Sequence, residues 1–262
     1  MLDAFLYMPV GLLVGILVGL TGVGGGSLTT PILVLLFGQS PTIAVGTDLV
    51  FAATTKAVAT AAFGYGRIDW QIAGRLALGS IPAAAAAIAW FWVRRAGPEV
   101  DPVVSRCLAV TLALTALGLL LRKPLTRLGL RLTARSLGPA TRDKVVLTVT
   151  AGVLIGLAVT LTSVGAGALG TVALLSLYPL RLSGHRLVAT DIAHALPVTL
   201  IAGLGHAALG HVNLPVLVCL LVGSIPGILL ASRAAVRLSP AILHGLIATM
   251  LALAAGKIWL GN

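Results

Sequence analysis

Three charged side chains and one histidine stand inside stretches that are otherwise apolar: Asp48, Lys56, Asp191 and His194. Ionisable groups in such surroundings are costly to bury and usually mark substrate, ion or proton pathways. Asp48 follows Thr47 in "GTDL" and Asp191 follows Thr190 in "ATDI". Two readings are open for the pair. The carboxylates could carry protons, or with their threonines they could cap helix starts by accepting first-turn N–H groups. Lys56 comes eight residues after Asp48. It lies about 11 Å from the nearer helix end at Phe63, too far for easy snorkelling, so it is expected to point inward. There it could neutralise a substrate anion or pair with Asp48, and this shared helix favours Asp48 over Asp191 as the coupling carboxylate. His194 falls three residues after Asp191, on the same helical face. It could relay protons or serve as a satisfied hydrogen-bonding group. Arg67 and Asp69 read as a loop pair, and His206 and His211 as interfacial groups at a helix end.

These side chains need elements to hold them, and the glycines say where the elements break. "TGVGGGS", Thr21 to Ser27, interrupts an apolar run from Pro9 to Phe37. Each glycine costs a helix interior roughly 1 kcal/mol relative to alanine. The run is 29 residues long, too long for one upright crossing. Broken at the glycines, it gives two pieces of ten to twelve residues, each reaching about halfway through the bilayer. Gly165–Gly167 divides Val145–Tyr178 in the same way. Exposed backbone at that depth is tolerated only against protein or a water-filled cavity. The helix opening after each break points unpaired N–H groups and a positive dipole end inward, where an anion could bind. Gly24, Gly25, Gly26 and Ser27 are the candidate lining on one side, with Gly165, Ala166 and Gly167 opposite. Thr55 beside Lys56, and Thr199 at the matching position of the second half, complete the candidate substrate-binding set. The plainer reading of the glycines is close helix packing. They are not a phosphate-binding P-loop, because no Gly-Lys-Ser/Thr follows.

Composition fixes the class. The chain is 58% hydrophobic and 10% charged, with a mean hydropathy of +1.07, against about 25% charged residues in ordinary globular chains. It is an all-α polytopic membrane protein with no room for a large soluble domain. Eight apolar segments are expected: Pro9–Phe37, Ile43–Phe63, Trp70–Val93, Val103–Leu121, Val145–Tyr178, Leu187–Leu209, Leu214–Val236 and Ala241–Leu260. The net charge of +11 reads as loop cations facing lipid headgroups, not as nucleic-acid binding. Cys107 and Cys219 show no metal-ligand spacing and read as small buried hydrophobes. No cofactor or metal is expected. "MLDAFLYMP" lacks the basic region of a signal peptide, so the first apolar segment is expected to be retained.

The chain repeats itself. "VGILVGLTGVGGGSL" matches "IGLAVTLTSVGAGAL", "GTDL" matches "ATDI", and "GSIP" occurs at Gly79–Pro82 and Gly223–Pro226, at offsets of 141, 143 and 144 residues. Residues 1–121 and 145–262 form two repeats, each with a glycine-broken first element and three further spans. Residues 122–144 form a basic linker, cytoplasmic by the positive-inside rule. If the broken elements cross fully, the halves are parallel. If they return as hairpins, the halves are inverted. The hairpin arrangement puts 13 of the 17 Arg and Lys other than Lys56 on the cytoplasmic side, against 10 for full crossing, so inversion is favoured.

"GLTGVGGGSLTTPIL", then "GTDL", then "GSIP", with a diverged second copy, resembles the sulfite exporter TauE/SafE family of membrane permeases over essentially the whole chain. The resemblance implies a secondary transporter in the cytoplasmic membrane for a small anion such as sulfite, a sulfonate or a related sulfur-containing organic acid, coupled to protons. The proton-coupling candidates are Asp48, Asp191 and His194. The implied partners are the anion, protons and the lipid bilayer, and a homodimer is an open arrangement. Two other readings stay open. One is an anion channel, which needs no coupling group. The other is an intramembrane enzyme using Asp48 and Asp191 as an acid/base couple.

Overall fold

The computed structural model describes residues 6–21, 26–63, 65–94, 98–122, 124–127, 130, 142–165, 167–182, 184–233 and 240–260. Among the described residues there are helices and no strands. In lipid a helix satisfies every backbone group within its own segment, so long apolar runs take this form. The principal helices are α1 (Tyr7–Thr21), α2 (Gly26–Leu35), α3 (Pro41–Phe63), α4 (Trp70–Val93), α5 (Asp101–Leu120), α6 (Arg142–Thr162), α7 (Ala168–Leu177), α8 (Gly184–Ala208), α9 (Leu214–Arg233) and α10 (Pro240–Leu260). Six of them, α3, α4, α5, α6, α8 and α9, are long and apolar enough to cross a membrane. Trp70 and Trp92 are exposed at the two ends of α4, as an aromatic belt requires.

Both broken elements are present, with unequal pieces. Helices α2 and α7 have 10 residues each and α1 has 15. Helix α6 has 21, about 31 Å, so it is not the half-length piece expected. It begins at Arg142, because Arg142, Asp143 and Lys144 join the helix ahead of the apolar run. It ends where Ser163 and then Gly165 take positive φ angles, 59° and 109°, a conformation that stops helical bonding and that glycine adopts without strain. Gly24, Gly25 and Ala166 lie outside the described residues, and Gly26 and Ser27 open α2.

Helix directions follow from glycine seams. Gly11, Gly15 and Gly19 on α1 lie against Leu220, Ser224 and Ile228 on α9, the numbers rising together, so α1 and α9 run parallel. Gly152 and Gly156 on α6 lie against Leu76 and Ser80 on α4, again in parallel. The two seams pair residues in the same register as the sequence repeat: Gly79 meets the Val149 carbonyl, and Gly223 meets that of Met8. Glycine permits this because a Cβ at any of these positions would overlap the facing backbone. Helices α3 and α8 instead run antiparallel, with Gly46 against His206 and His211 while Gly203 lies against Leu49 and Val50. Helix α4 runs with α8: the backbone N–H of Asp69 reaches Thr190, Ser80 reaches His194, and Ile88 meets Gly205. Helix α9 starts beside the start of α3, where Asn213 N–H donates to Thr47 Oγ1 at 2.9 Å, and packs along it. Helices α1 and α3 therefore share one direction, and α2 between them runs back.

Candidate functional site

The antiparallel crossing of α3 and α8 gathers the ionisable groups. Asp48 and Asp191 each lie two turns inside their helix, fully or almost fully buried. The capping role is thereby corrected: a cap sits at a helix boundary, and these helices begin at Pro41 and Gly184. Their carboxylates are held from other helices. Thr30 Oγ1 on α2 donates to Asp48 Oδ2 at 2.6 Å, and Thr171 Oγ1 on α7 donates to Asp191 Oδ2 at 3.2 Å. The short helix after each break thus supplies one hydroxyl to the carboxylate of its own half. Thr29 on α2 and Ser163 at the second break are buried near Asp48, and Ser163 Oγ has no hydrogen-bond partner. Both Oδ1 atoms remain buried without a hydrogen-bond partner in the bonding geometry of this structure.

Lys56 is buried on α3, close enough to Asp48, Asp191 and His194 for its charge to act on all three. It makes no ion pair within 4 Å among the described residues, where the only ion pairs are those of Asp69. His194 is buried one turn after Asp191, with Nε2 2.9 Å from Ser80 Oγ and Nδ1 unpartnered. Among the sequence candidates, Asp48, Lys56, Asp191 and His194 are brought together. Thr55 and Thr199 are buried, but their hydroxyls bond their own helices, at the carbonyls of Phe51 and Ala52 and of Ala195 and Leu196. Gly165 and Gly167 flank the end of α6 and the start of α7, and Gly165 O accepts from Gly170 N–H. Sequence reasoning missed Thr30, Thr171, Ser80 and Ser163. Thr30 and Thr171 share the 141-residue offset of the glycine motif, and Ser80 belongs to "GSIP", so the register held the signal.

Two surroundings differ from expectation. Asp69 does not pair with Arg67. Its carboxylate takes Arg181 Nε at 2.7 Å, Arg181 Nη2 at 2.9 Å and Arg186 Nη2 at 3.1 Å, and its Oδ1 also accepts from Ile72 N–H at the start of α4. Burial pushes Asp69 up, but the two guanidiniums and the Ile72 N–H outweigh it and hold the carboxyl below the usual carboxylate range. His206 and His211 are buried, not interfacial. His206 Nε2 donates to Thr160 O at 3.1 Å, the two Nδ1 atoms lie 3.3 Å apart, and the His206 ring packs against Phe91 at 4.9 Å. Phe91 of α4, the Thr160 carbonyl of α6 and Gly46 of α3 lie against this pair. Cys107 and Cys219 are free and half-buried, and no group of three or more His, Cys, Asp or Glu side chains could hold a metal among the described residues.

The chain can be set beside known proteins on this geometry. The family model described as sulfite exporter TauE/SafE matches residues 7–258. A Bacillus subtilis (strain 168) protein described as "Probable membrane transporter protein YjnA" is 38% identical over 250 residues, covering 95% of this chain and 96% of the relative. No solved structure matches.

Proposed function

The chain belongs to the sulfite exporter TauE/SafE family and is a multi-pass membrane transporter. From that premise we propose that it moves a small oxyanion, such as sulfite, a sulfonate or a related sulfur-containing organic acid, across the cytoplasmic membrane, coupled to the proton gradient. The observation that carries this reading is Lys56: a buried ammonium with no close ion pair, facing two carboxylates and a histidine where α3 and α8 cross. A cation kept in that place without a tight partner suits a transient anionic ligand. The ends of α2 and α7 add N–H groups and hydroxyls beside it. Asp48, Asp191 and His194 are the candidates for handling the proton.

We also propose that the halves are inverted repeats whose first elements are hairpins. The antiparallel course of α3 and α8, and the return of α2 between α1 and α3, support it. So does the pairing of Asp69 with Arg181, because full crossing by α6 and α7 would put those residues on opposite faces of the membrane. The repeats correspond to residues 1–121 and 145–262, joined by the basic linker.

The test is uptake of radiolabelled sulfite and sulfoacetate into proteoliposomes, with and without a pH step. Accumulation that follows the step supports the proposal. Flux indifferent to the gradient points to a channel, chemical change of the solute points to an enzyme, and no flux of either probe refutes the substrate class.

A further inference from the structure

Asp48 and Asp191 occupy matching places in the two halves, yet their surroundings differ at one matched position. Thr30 and Thr171 donate to the respective Oδ2 atoms. One residue earlier, the first half has Thr29 and the second has Gly170, at the same 141-residue offset. Thr29 is fully buried on α2, beside Asp48. Gly170 has no hydroxyl to offer, and the Oδ1 of Asp191 lies directly over it, where a side-chain Cβ would collide. Thr30 thus holds Asp48 at 2.6 Å with the Thr29 hydroxyl next to it on α2, whereas Asp191 receives one hydroxyl, at the longer distance of 3.2 Å, with bare backbone at the neighbouring position.

Charge balance makes this difference matter. The described ionised or ionisable groups around Asp191 are Lys56 from α3, which Asp48 shares, and His194 one turn on along α8. Helix α7 contributes only the Thr171 hydroxyl and the Gly170 backbone, and α4 contributes Ser80, which is engaged with His194. One ammonium can neutralise one carboxylate. Two ionised carboxylates would leave a net negative charge deep in the membrane, beside the place an anion must enter. Hydrogen bonds to the charged form are what keep a buried carboxylate ionised.

Resting on the transporter reading above, we propose that Asp191 is the carboxylate that takes up and releases the transported proton, while Asp48 stays ionised as the standing counter-ion of Lys56. Protonation of Asp191 neutralises the second half of the site and leaves its Oδ–H able to donate to an anion. Release of that proton expels the anion by restoring the negative charge. The shared helix of Asp48 and Lys56, which favoured Asp48 as the coupling group from sequence, instead suits a standing balance of charge along α3, with the ammonium left free of a close ion pair.

The experiment needs no substrate. Infrared difference spectra of the full chain in lipid, taken between acid and alkaline buffer, report the C=O stretch of protonated carboxyls. The proposal expects a pH-dependent band that is lost in Asp191→Asn and kept in Asp48→Asn, with unchanged helical circular dichroism in both. Thr29→Ala, which removes a hydroxyl from beside Asp48, is expected to add a second titrating band. A band lost in Asp48→Asn but kept in Asp191→Asn, or kept in both, or absent from the wild type, would overturn the assignment. Because the spectra contain no transported solute, a failed uptake assay with an intact Asp191 band refutes the substrate class alone.

Discussion

Gly79 and Gly74 lie on the same helix, α4, five residues apart, and the seam with α6 treats them oppositely. A Cβ on Gly79 would overlap the Val149 carbonyl oxygen and stand only 2.9 Å from Val153 N, both backbone atoms that cannot rotate away. A Cβ on Gly74 would meet nothing within 4 Å. Gly79→Ala therefore obliges α4 and α6 to part by on the order of 1 Å, the kind of overpacking that costs typically 1–3 kcal/mol. The gain in helix propensity, up to about 1 kcal/mol, offsets only part of it. Gly74→Ala takes the same propensity gain with no clash, so it should be neutral or stabilising by up to about 1 kcal/mol. The parting would also reach the site, since Ser80 is the next residue and holds His194. Thermal unfolding of both variants in detergent, followed by intrinsic fluorescence, measures the difference. A Gly79→Ala protein as stable as Gly74→Ala would refute the inference that these glycines set the helix spacing. Gly223→Ala, at the matching place on α9, is expected to behave like Gly79→Ala.

Lys56→Ala should weaken sulfite binding in a thermal-shift titration by at least tenfold, whereas Arg67→Ala, on an exposed turn, should leave it within twofold; equal affinities would leave Lys56 a structural role only. Thr30→Val removes the 2.6 Å donor to Asp48 and should cost about 1–3 kcal/mol of unfolding free energy, readable as a lowered Tm. Asp69→Asn should cost about 1 kcal/mol, a modest figure because Arg181 and Arg186 are 35% and 54% exposed. Asp69 is depressed in the folded protein, so its contribution is present above the unfolded carboxylate pKa of about 3.9 and is lost as pH falls through the lower folded value. The stability gap between wild type and Asp69→Asn should thus begin to close below about pH 4 and vanish once the pH is below the folded value, and a gap that persists there would refute the ion-pair account.

The sequence by itself determined the class and the helices. Hydrocarbon excludes unpaired backbone, so apolar runs of sufficient length become helices whatever their neighbours, and the ends expected for the segments at Trp70–Val93 and Leu214 match α4 and the start of α9. The buried charges were equally legible, because an Asp or Lys in such a run has no cheap place to go. What only the tertiary structure decided is who meets whom. Thr30 and Thr171 are ordinary residues of short helices until the chain turns back and sets them over Asp48 and Asp191. Asp69 has Arg67 two residues away in sequence, yet it pairs with Arg181 and Arg186, more than a hundred residues on, because the loop after α7 is brought beside the start of α4. The histidines at 206 and 211 have surface-like positions in sequence and become buried because α3, α4 and α6 pack against them through Gly46, Phe91 and Thr160. Helical periodicity is a local property and can be read along the chain, whereas a hydrogen bond across helices depends on directions and spacings that the glycine seams set only once both halves have packed.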